Sequence, residues 1–300
     1  MKAMILAAGL GTRLRPLTEG RPKALIPVVN RPIISIIIEY LKKHGINQMV
    51  VNTHHHQQQI VDYLDCGTPF GIEIDVRVEP EILGTGGGIK NTLDFWDTEP
   101  FIVVNSDILT NIDIGPACEQ HRNSGALATL ILHDYGPFNQ IQIDHRQNLI
   151  DIASKSEPGR LAFTGIHIID PELLSHIPEK RFSDIIDCYR KLIQSRGVIR
   201  AYLSKGHYWR DIGTVSDYVE ANRDLLEKEP YAIGTDCHID PSVNLDEWAV
   251  VGERCHLEKD AEIKRSILWE GVRIKKGIRV IDGIVTSFAE VNRDVTGEIY

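Results

Sequence analysis

The sequence predicts an α/β fold, a mostly parallel sheet with helices on both faces, followed by a short C-terminal left-handed parallel β-helix. Three observations predict it. Apolar runs of strand length alternate with helix-like segments through the first two-thirds of the chain, which is the pattern of a sheet whose strands are joined by helices. The first run leads straight into a loop bearing two glycines and four cations. From Ile233 onward, apolar residues recur every six positions, the period of stacked β-helix rungs.

In chain order, strands are expected at 3–7, 49–52, 72–78, 101–104 and 126–132, each a short apolar run. Between them, helices are expected at 33–44, stopped by Gly45, and at 57–64, 87–95 and 114–123. Shorter strand signals follow near 140–152, 162–168 and 199–203, with helices at 182–195 and 215–227. The repeat then takes over. Ile233, Ile239, Leu245, Val251, Leu257 and Ile263 are six apart, and four residues after each comes Cys237, Val243, Ala249, Cys255, Ala261 or Ile267. The register then shortens by one and continues through Leu268, Ile274 and Val280. With three rungs to a coil, about three coils fit. Cys237 and Cys255 should stack in neighbouring coils as two small core thiols. Residues 1–228 and 229–300 are therefore expected to be separate domains.

Composition narrows the function. A formal net charge of −9 argues against a nucleic-acid or anionic-membrane partner. Five cysteines without a Cys-x-x-Cys pair point to free thiols in a reducing compartment. The N-terminal apolar run is only a strand long and ends in arginines, so no signal peptide is read there. The densest later run, Ile33 to Ile38, is too short to span a bilayer. A cytoplasmic location is expected.

Against that acidic background the cationic loop is a local feature. Gly9 and Gly11 lack Cβ, so the backbone can close around a bulky anion with N–H groups inward. Arg13, Arg15, Arg21 and Lys23 fall within eleven residues and can neutralise it; a polyphosphate is the expected ligand. A Walker A loop would need Gly-Lys-Ser/Thr, and Lys23 stands among prolines instead. A dinucleotide fingerprint would need glycine where Leu14 stands. Further on, Asp107 follows an apolar strand, where open α/β sheets bind ligands. The triplet His54, His55 and His56 reads as a polar rim, because adjacent strand residues face opposite sides.

The whole string Leu-Ala-Ala-Gly-x-Gly-Thr-Arg-Leu-x-Pro-Leu-Thr, followed by Pro22-Lys23-Ala24-Leu25-Ile26-Pro27, resembles the signature of the sugar-1-phosphate nucleotidyltransferases. These enzymes make nucleoside-diphosphate sugars. Trp209-Arg210-Asp211-Ile212-Gly213-Thr214 matches that family's Trp-x-Asp-Ile-Gly-Thr segment, and Leu83-Gly84-Thr85-Gly86 its Leu-Gly-Thr-x-Gly loop. The resemblance implies a Rossmann-like GT-A catalytic domain and Mg2+ bound by Asp107 and Asp211. It implies that Arg13 grips the β- and γ-phosphates and that Lys23 meets the α-phosphate or the sugar phosphate. The nucleotide is expected on Leu6, Ala8, Gly9, Gly11, Thr12 and Arg13, with its base against Gly84, Thr85 and Gly86. The sugar is expected near Asn139, Thr164 and Gly165. The chemistry suits this set: the attacking phosphate is already ionised, so positioning and charge neutralisation must dominate.

Among these enzymes the chain is most similar to bacterial mannose-1-phosphate guanylyltransferases, which implies GTP and mannose 1-phosphate. Gly86-Gly87-Gly88 and Phe163-Thr164-Gly165-Ile166 also resemble the muramic-acid-1-phosphate uridylyltransferases, so UTP with N-acetylmuramate 1-phosphate or another sugar 1-phosphate stays open. A homo-oligomer is expected. A catalytically silent nucleotide-sugar-binding paralogue is the non-enzyme alternative, and the presence of all four of Arg13, Lys23, Asp107 and Asp211 speaks against it.

Overall fold

Seven strands form the main sheet, in the order Ile199–Leu203, Ala128–His133, Ala162–Ile169, Phe101–Asn105, Ala3–Leu6, Gln48–Thr53 and Glu73–Val78. This is the architecture of a computed structural model that describes every residue except Lys180 and Glu227. Only Ala162–Ile169 runs antiparallel to its neighbours; the other pairings are parallel. All six residues of Ala128–His133, and the first four of Phe101–Asn105, are buried, which is why these strands read as continuous apolar runs. The chain builds outward from Ala3–Leu6 in one direction, then crosses to Phe101–Asn105 on its other side. That reversal opens a crevice at the strands' carboxyl ends. Leu6 sits there with Asn52 and Asn105 as its Cα partners.

The helices follow the sequence pattern with informative exceptions. Ile33–Lys43 and Gln57–Leu64 lie where expected. Asp184 caps Ile185–Gln194 by accepting from Ile186 N at 2.8 Å. Val215–Leu225 begins with a capping box between Thr214 and Asp217; the last residue of the expected helix 215–227, Glu227, lies outside the described residues. The helix expected at 87–95 starts earlier, as Gly84–Lys90, and is followed by a separate 3-10 turn, Leu93–Phe95. Its early start has a tertiary cause: Gly86 N and Gly87 N donate to Ser183 O at 2.8 and 3.1 Å. The signal near 140–152 resolves into a hairpin of Ile141–Ile143 and Leu149–Ile152. Ile108–Thr110 pairs antiparallel with Trp209–Asp211, a three-residue ladder too short to carry a periodic signal.

The C-terminal repeat is a parallel β-helix. Tyr231 pairs with Ala249, His238 with His256 and Asn244 with Glu262, one eighteen-residue coil apart. From Ala249↔Ser266 the coil is seventeen residues, as in Val251↔Leu268 and His256↔Arg273, which is the shortening visible in the sequence. Val251, Leu257, Ile263, Leu268, Ile274 and Val280 form its core. Cys237 and Cys255 are free thiols, and their Sγ atoms donate to Gly252 O and Trp269 O at 3.0 and 3.1 Å. Burial pushes the Cys255 thiol up to about 12.

By packing, the chain divides into two units that are discontinuous in sequence. One comprises residues 1–10, 22–24 and 34–211; the other comprises 11–21, 25–33 and 212–300. The β-helix therefore belongs to the same unit as the middle of the cationic loop. Among the described residues, no helix is long and apolar enough to cross a membrane.

Candidate active site

The strand Ala3–Leu6 delivers the chain to the switch point, and a buried polar bridge shapes its exit. Asn52 Oδ1 accepts from Ala7 N at 2.9 Å, and Asn52 Nδ2 donates to Glu79 Oε1 at 2.8 Å. Glu79 Oε2 accepts from Leu83 N at 3.2 Å. One carboxylate and one amide thus tie the residue that opens the cationic loop, Ala7, to the start of the Gly84 segment. Glu79 is fully buried, and that burial raises its pKa against the hydrogen bonds that favour the anion. The bridge also explains the third glycine of the run: a Cβ on Gly88 would lie 2.6 Å from Asn52 Nδ2 and 2.9 Å from Glu79 Oε1. Sequence reasoning missed Asn52 and Glu79. The available signal was a polar residue closing an apolar strand, which alone has many meanings.

Gly9 has nothing within 4 Å of where a Cβ would stand, so the fold itself makes no demand for glycine there. Gly11 does need its freedom: at φ 62° it opens the 3-10 turn Thr12–Leu14. Its carbonyl accepts from Leu14 N and Thr18 Oγ1 at 2.9 and 3.0 Å. Leu14 and Leu17 are buried beneath the loop. Arg13 projects against the Trp-x-Asp-Ile-Gly-Thr segment, and a Cβ on Gly213 would lie 2.9 Å from its Nη1 and 3.1 Å from its Nη2. Two motifs two hundred residues apart are thereby fitted to each other.

In the other unit, Lys23 opens the turn Lys23–Leu25, and its Nζ stands 2.6 Å from Asp107 Oδ2. Asp107 links the strand Phe101–Asn105 to Ile108–Thr110. Asp211 ends the partner strand with Ile108 as its Cα partner, and its Oδ1 is shielded from solvent. Lys23 thus pairs with the residue just before one short ladder, and Asp211 stands in that ladder. No group of three or more His, Cys, Asp or Glu side chains that could hold a metal occurs among the described residues. A two-carboxylate set of hard oxygens fits an ion that takes phosphate oxygens and waters for its remaining positions, as Mg2+ does. His54 is spent elsewhere, its Nδ1 2.8 Å from Glu79 O.

The base-side candidates are packed against their own chain. Gly84 has φ +72°, and a Cβ there would meet Ser183 O at 2.7 Å; one on Gly86 would meet Ser183 Oγ at 2.9 Å. Thr85 Oγ1 accepts from Ile185 N at 2.9 Å. The glycines expected to admit a flat ring therefore admit the 181–185 backbone first.

The sugar-side candidates lie around Trp209. Thr164 is fully buried; its hydroxyl donates to Ile131 O at 2.8 Å, and its carbonyl accepts from Trp209 Nε1 at 2.9 Å. Gly165, at φ +78°, would place a Cβ 2.9 Å from both Asn105 Nδ2 and Ile108 Cγ1. Thr164 thus abuts the strand that ends in Asp211, and Gly165 the residues on either side of the turn that holds Asp107. Asn139 spends its side chain on its own loop, accepting from Tyr135 N at 2.9 Å and donating to Asp134 Oδ1 at 2.7 Å. Tyr135 in turn meets Trp209 edge-on at 5.1 Å between ring centroids. His133 completes this aromatic wall, 4.6 Å from Trp209 and hydrogen-bonded through Nδ1 to His207 Nε2 at 3.2 Å.

Known proteins are similar in sequence along nearly the whole chain. UTP–glucose-1-phosphate uridylyltransferase of Synechocystis is 29% identical, over 99% of this chain and 89% of that protein. Mannose-1-phosphate guanylyltransferase 1 of Arabidopsis thaliana is 30% identical, over 95% of this chain and 86% of that protein. A solved structure, a putative glucose-1-phosphate thymidylyltransferase of Bacillus anthracis, superposes with a TM-score of 0.68 at 28% identity, covering 76% of this chain and 96% of its own. Residues 2–228 match the family model described as nucleotidyl transferase, and the chain belongs to that family as a sugar-1-phosphate nucleotidyltransferase.

Proposed function

We propose that the protein transfers GMP from GTP to mannose 1-phosphate, yielding GDP-mannose and pyrophosphate. The observation that carries the reading is the Lys23–Asp107 pair beside the Ile108–Asp211 ladder. A cation and a carboxylate are paired there, and a second carboxylate, Asp211, stands on the strand that pairs with the residue after Asp107. The similarity to the Arabidopsis guanylyltransferase, 30% identical over 95% of this chain, supports the guanine and mannose assignment.

Asp107 and Asp211 would hold Mg2+, which supplies charge neutralisation at the phosphates when bound. The chain's own residues account for the rest. Lys23, oriented by Asp107, meets the α-phosphate or the sugar phosphate and lets two anions approach. A sugar-phosphate oxygen then attacks the α-phosphorus. The bond from that phosphorus to the bridging oxygen breaks, and pyrophosphate leaves with the electron pair. Arg13 takes up the charge that develops on the leaving group, and the backbone after Leu6 cradles the triphosphate.

The test crosses four nucleoside triphosphates with a panel of sugar 1-phosphates in the presence of Mg2+ and pyrophosphatase, reading phosphate release. Turnover confined to GTP and mannose 1-phosphate is the expected result. Preference for UTP, with glucose or N-acetylmuramate 1-phosphate, would replace the substrate assignment and leave the class intact.

A further inference from the structure

Arg21 stands in the cationic loop, two residues before Lys23, yet its guanidinium is engaged elsewhere. Its Nη2 pairs with Glu270 Oε1 and donates to Ser287 Oγ at 3.1 Å, and its Nη1 lies 3.4 Å from Glu270 Oε2. The guanidinium sits over the Trp269 ring, 4.8 Å from the centroid. Three residues of the β-helix thus clamp one residue of the loop through an ion pair, a hydroxyl and a ring face.

The clamp is itself anchored. Trp269 is buried, and its Nε1 donates to Tyr218 OH at 2.9 Å; Tyr218 OH donates to Pro27 O at 2.7 Å. Nearby, Val29 N donates to the buried Asn222 Oδ1, and Asn30 Nδ2 donates to Val251 O, both at 2.8 Å. Residues 11–21 hold one short 3-10 turn and no strand. Their internal bonds are short-range, as in Leu14 N to Gly11 O, Leu17 N to Leu14 O and Glu19 N to Pro16 O at 2.9, 2.9 and 3.0 Å. Such turns shape the segment locally, and the Arg21 clamp adds an anchor to a distant part of the chain.

We propose that the Trp269–Glu270–Ser287 corner of the β-helix is a positioning element for the phosphate loop. Arg21 is a tether, and the β-helix pre-organises the backbone that carries Thr12 and Arg13. The repeat thereby contributes to nucleotide binding from a distance in sequence. This rests on the reading of that loop as the triphosphate cradle.

Steady-state kinetics on the full-length protein test it, with KM for the nucleotide and kcat read separately. Glu270→Gln and Arg21→Ala should each raise the nucleotide KM about tenfold, the loss expected of one partly buried charge-assisted pair. The exchanged pair, Arg21→Glu with Glu270→Arg, should recover most of it. Thermal melts would identify a variant that lost its fold, and the near-isosteric Glu270→Gln keeps the test open in that case. A normal KM in Glu270→Gln combined with a severe loss in Arg21→Ala would make Arg21 a direct phosphate ligand and overturn the proposal. Normal KM values in both single variants would overturn it as well. Failure of the underlying reading is separately visible: Arg13→Ala would then leave the nucleotide KM and kcat unchanged.

Discussion

The guanidinium of Arg13 lies where a Cβ on Gly213 would reach, 2.9 Å from Nη1. Glycine in that motif is therefore a seat for the arginine of the loop. Gly213→Ala should fold normally, because the end of a long side chain gives way easily, while Arg13 is displaced. A shift of about 1 Å at such a group costs on the order of a hundredfold in rate. The expected outcome is a large fall in kcat at unchanged melting temperature, and wild-type turnover would show that Arg13 needs no such seat.

Gly9 and Gly165 make opposite predictions. No atom crowds a Cβ at Gly9, so Gly9→Ala should keep stability and raise the nucleotide KM, since the methyl group would stand only in the way of the ligand. Gly165 combines φ +78° with close approach to Asn105 and Ile108, so Gly165→Ala should destabilise by about 2 kcal/mol. Paired melts and kinetics on the two variants check the contrast.

Asp107→Asn removes a metal-binding charge and the partner of Lys23 together. Turnover should fall on the order of a thousandfold, as for loss of a main electrostatic group, and the Mg2+ concentration at half activity should rise. Activity near wild type would sink the assignment of Asp107 as a metal ligand.

Buried histidines set an acid limit, His133 and His167 most strongly; burial also lowers His121. Burial, then the neighbouring His207, holds His133 down to about 4. Burial holds His167, bonded to Tyr189 OH, down to about 3. The unfolded chain takes up protons below about pH 6.5 while the folded chain does not. Their contribution to stability is thus complete above that pH and is lost as pH falls towards the folded values. Each ring adds a slope of about 1.4 kcal/mol per pH unit within its window. Urea unfolding at pH 7 and pH 5 should show the loss, and His133→Gln should flatten it.

Much of this was legible along the chain. The β-helix period, its one-residue shortening and the Cys237–Cys255 stacking followed from spacing alone, because each coil repeats the same local environment. The order of strands and helices was legible for the same reason. Arg13, Lys23, Asp107 and Asp211 were found as motif positions, and Lys23 and Asp107 do meet. The start of the helix at Gly84, the reason for Gly88 and the fates of Thr164 and Asn139 were not legible. Each depends on a partner the sequence does not mark: Ser183, the Asn52–Glu79 bridge, Ile131 and Asp134.

Arg21 shows where the boundary falls. Read locally, it is one more cation in a phosphate loop; folded, it belongs to Glu270, Ser287 and Trp269. Periodicity and composition depend on neighbours a few positions away, so they set the elements, the repeat and the chemical class. Which charge meets phosphate and which meets a carboxylate depends on residues some two hundred and fifty positions distant, and no local pattern records that choice until packing brings them within reach.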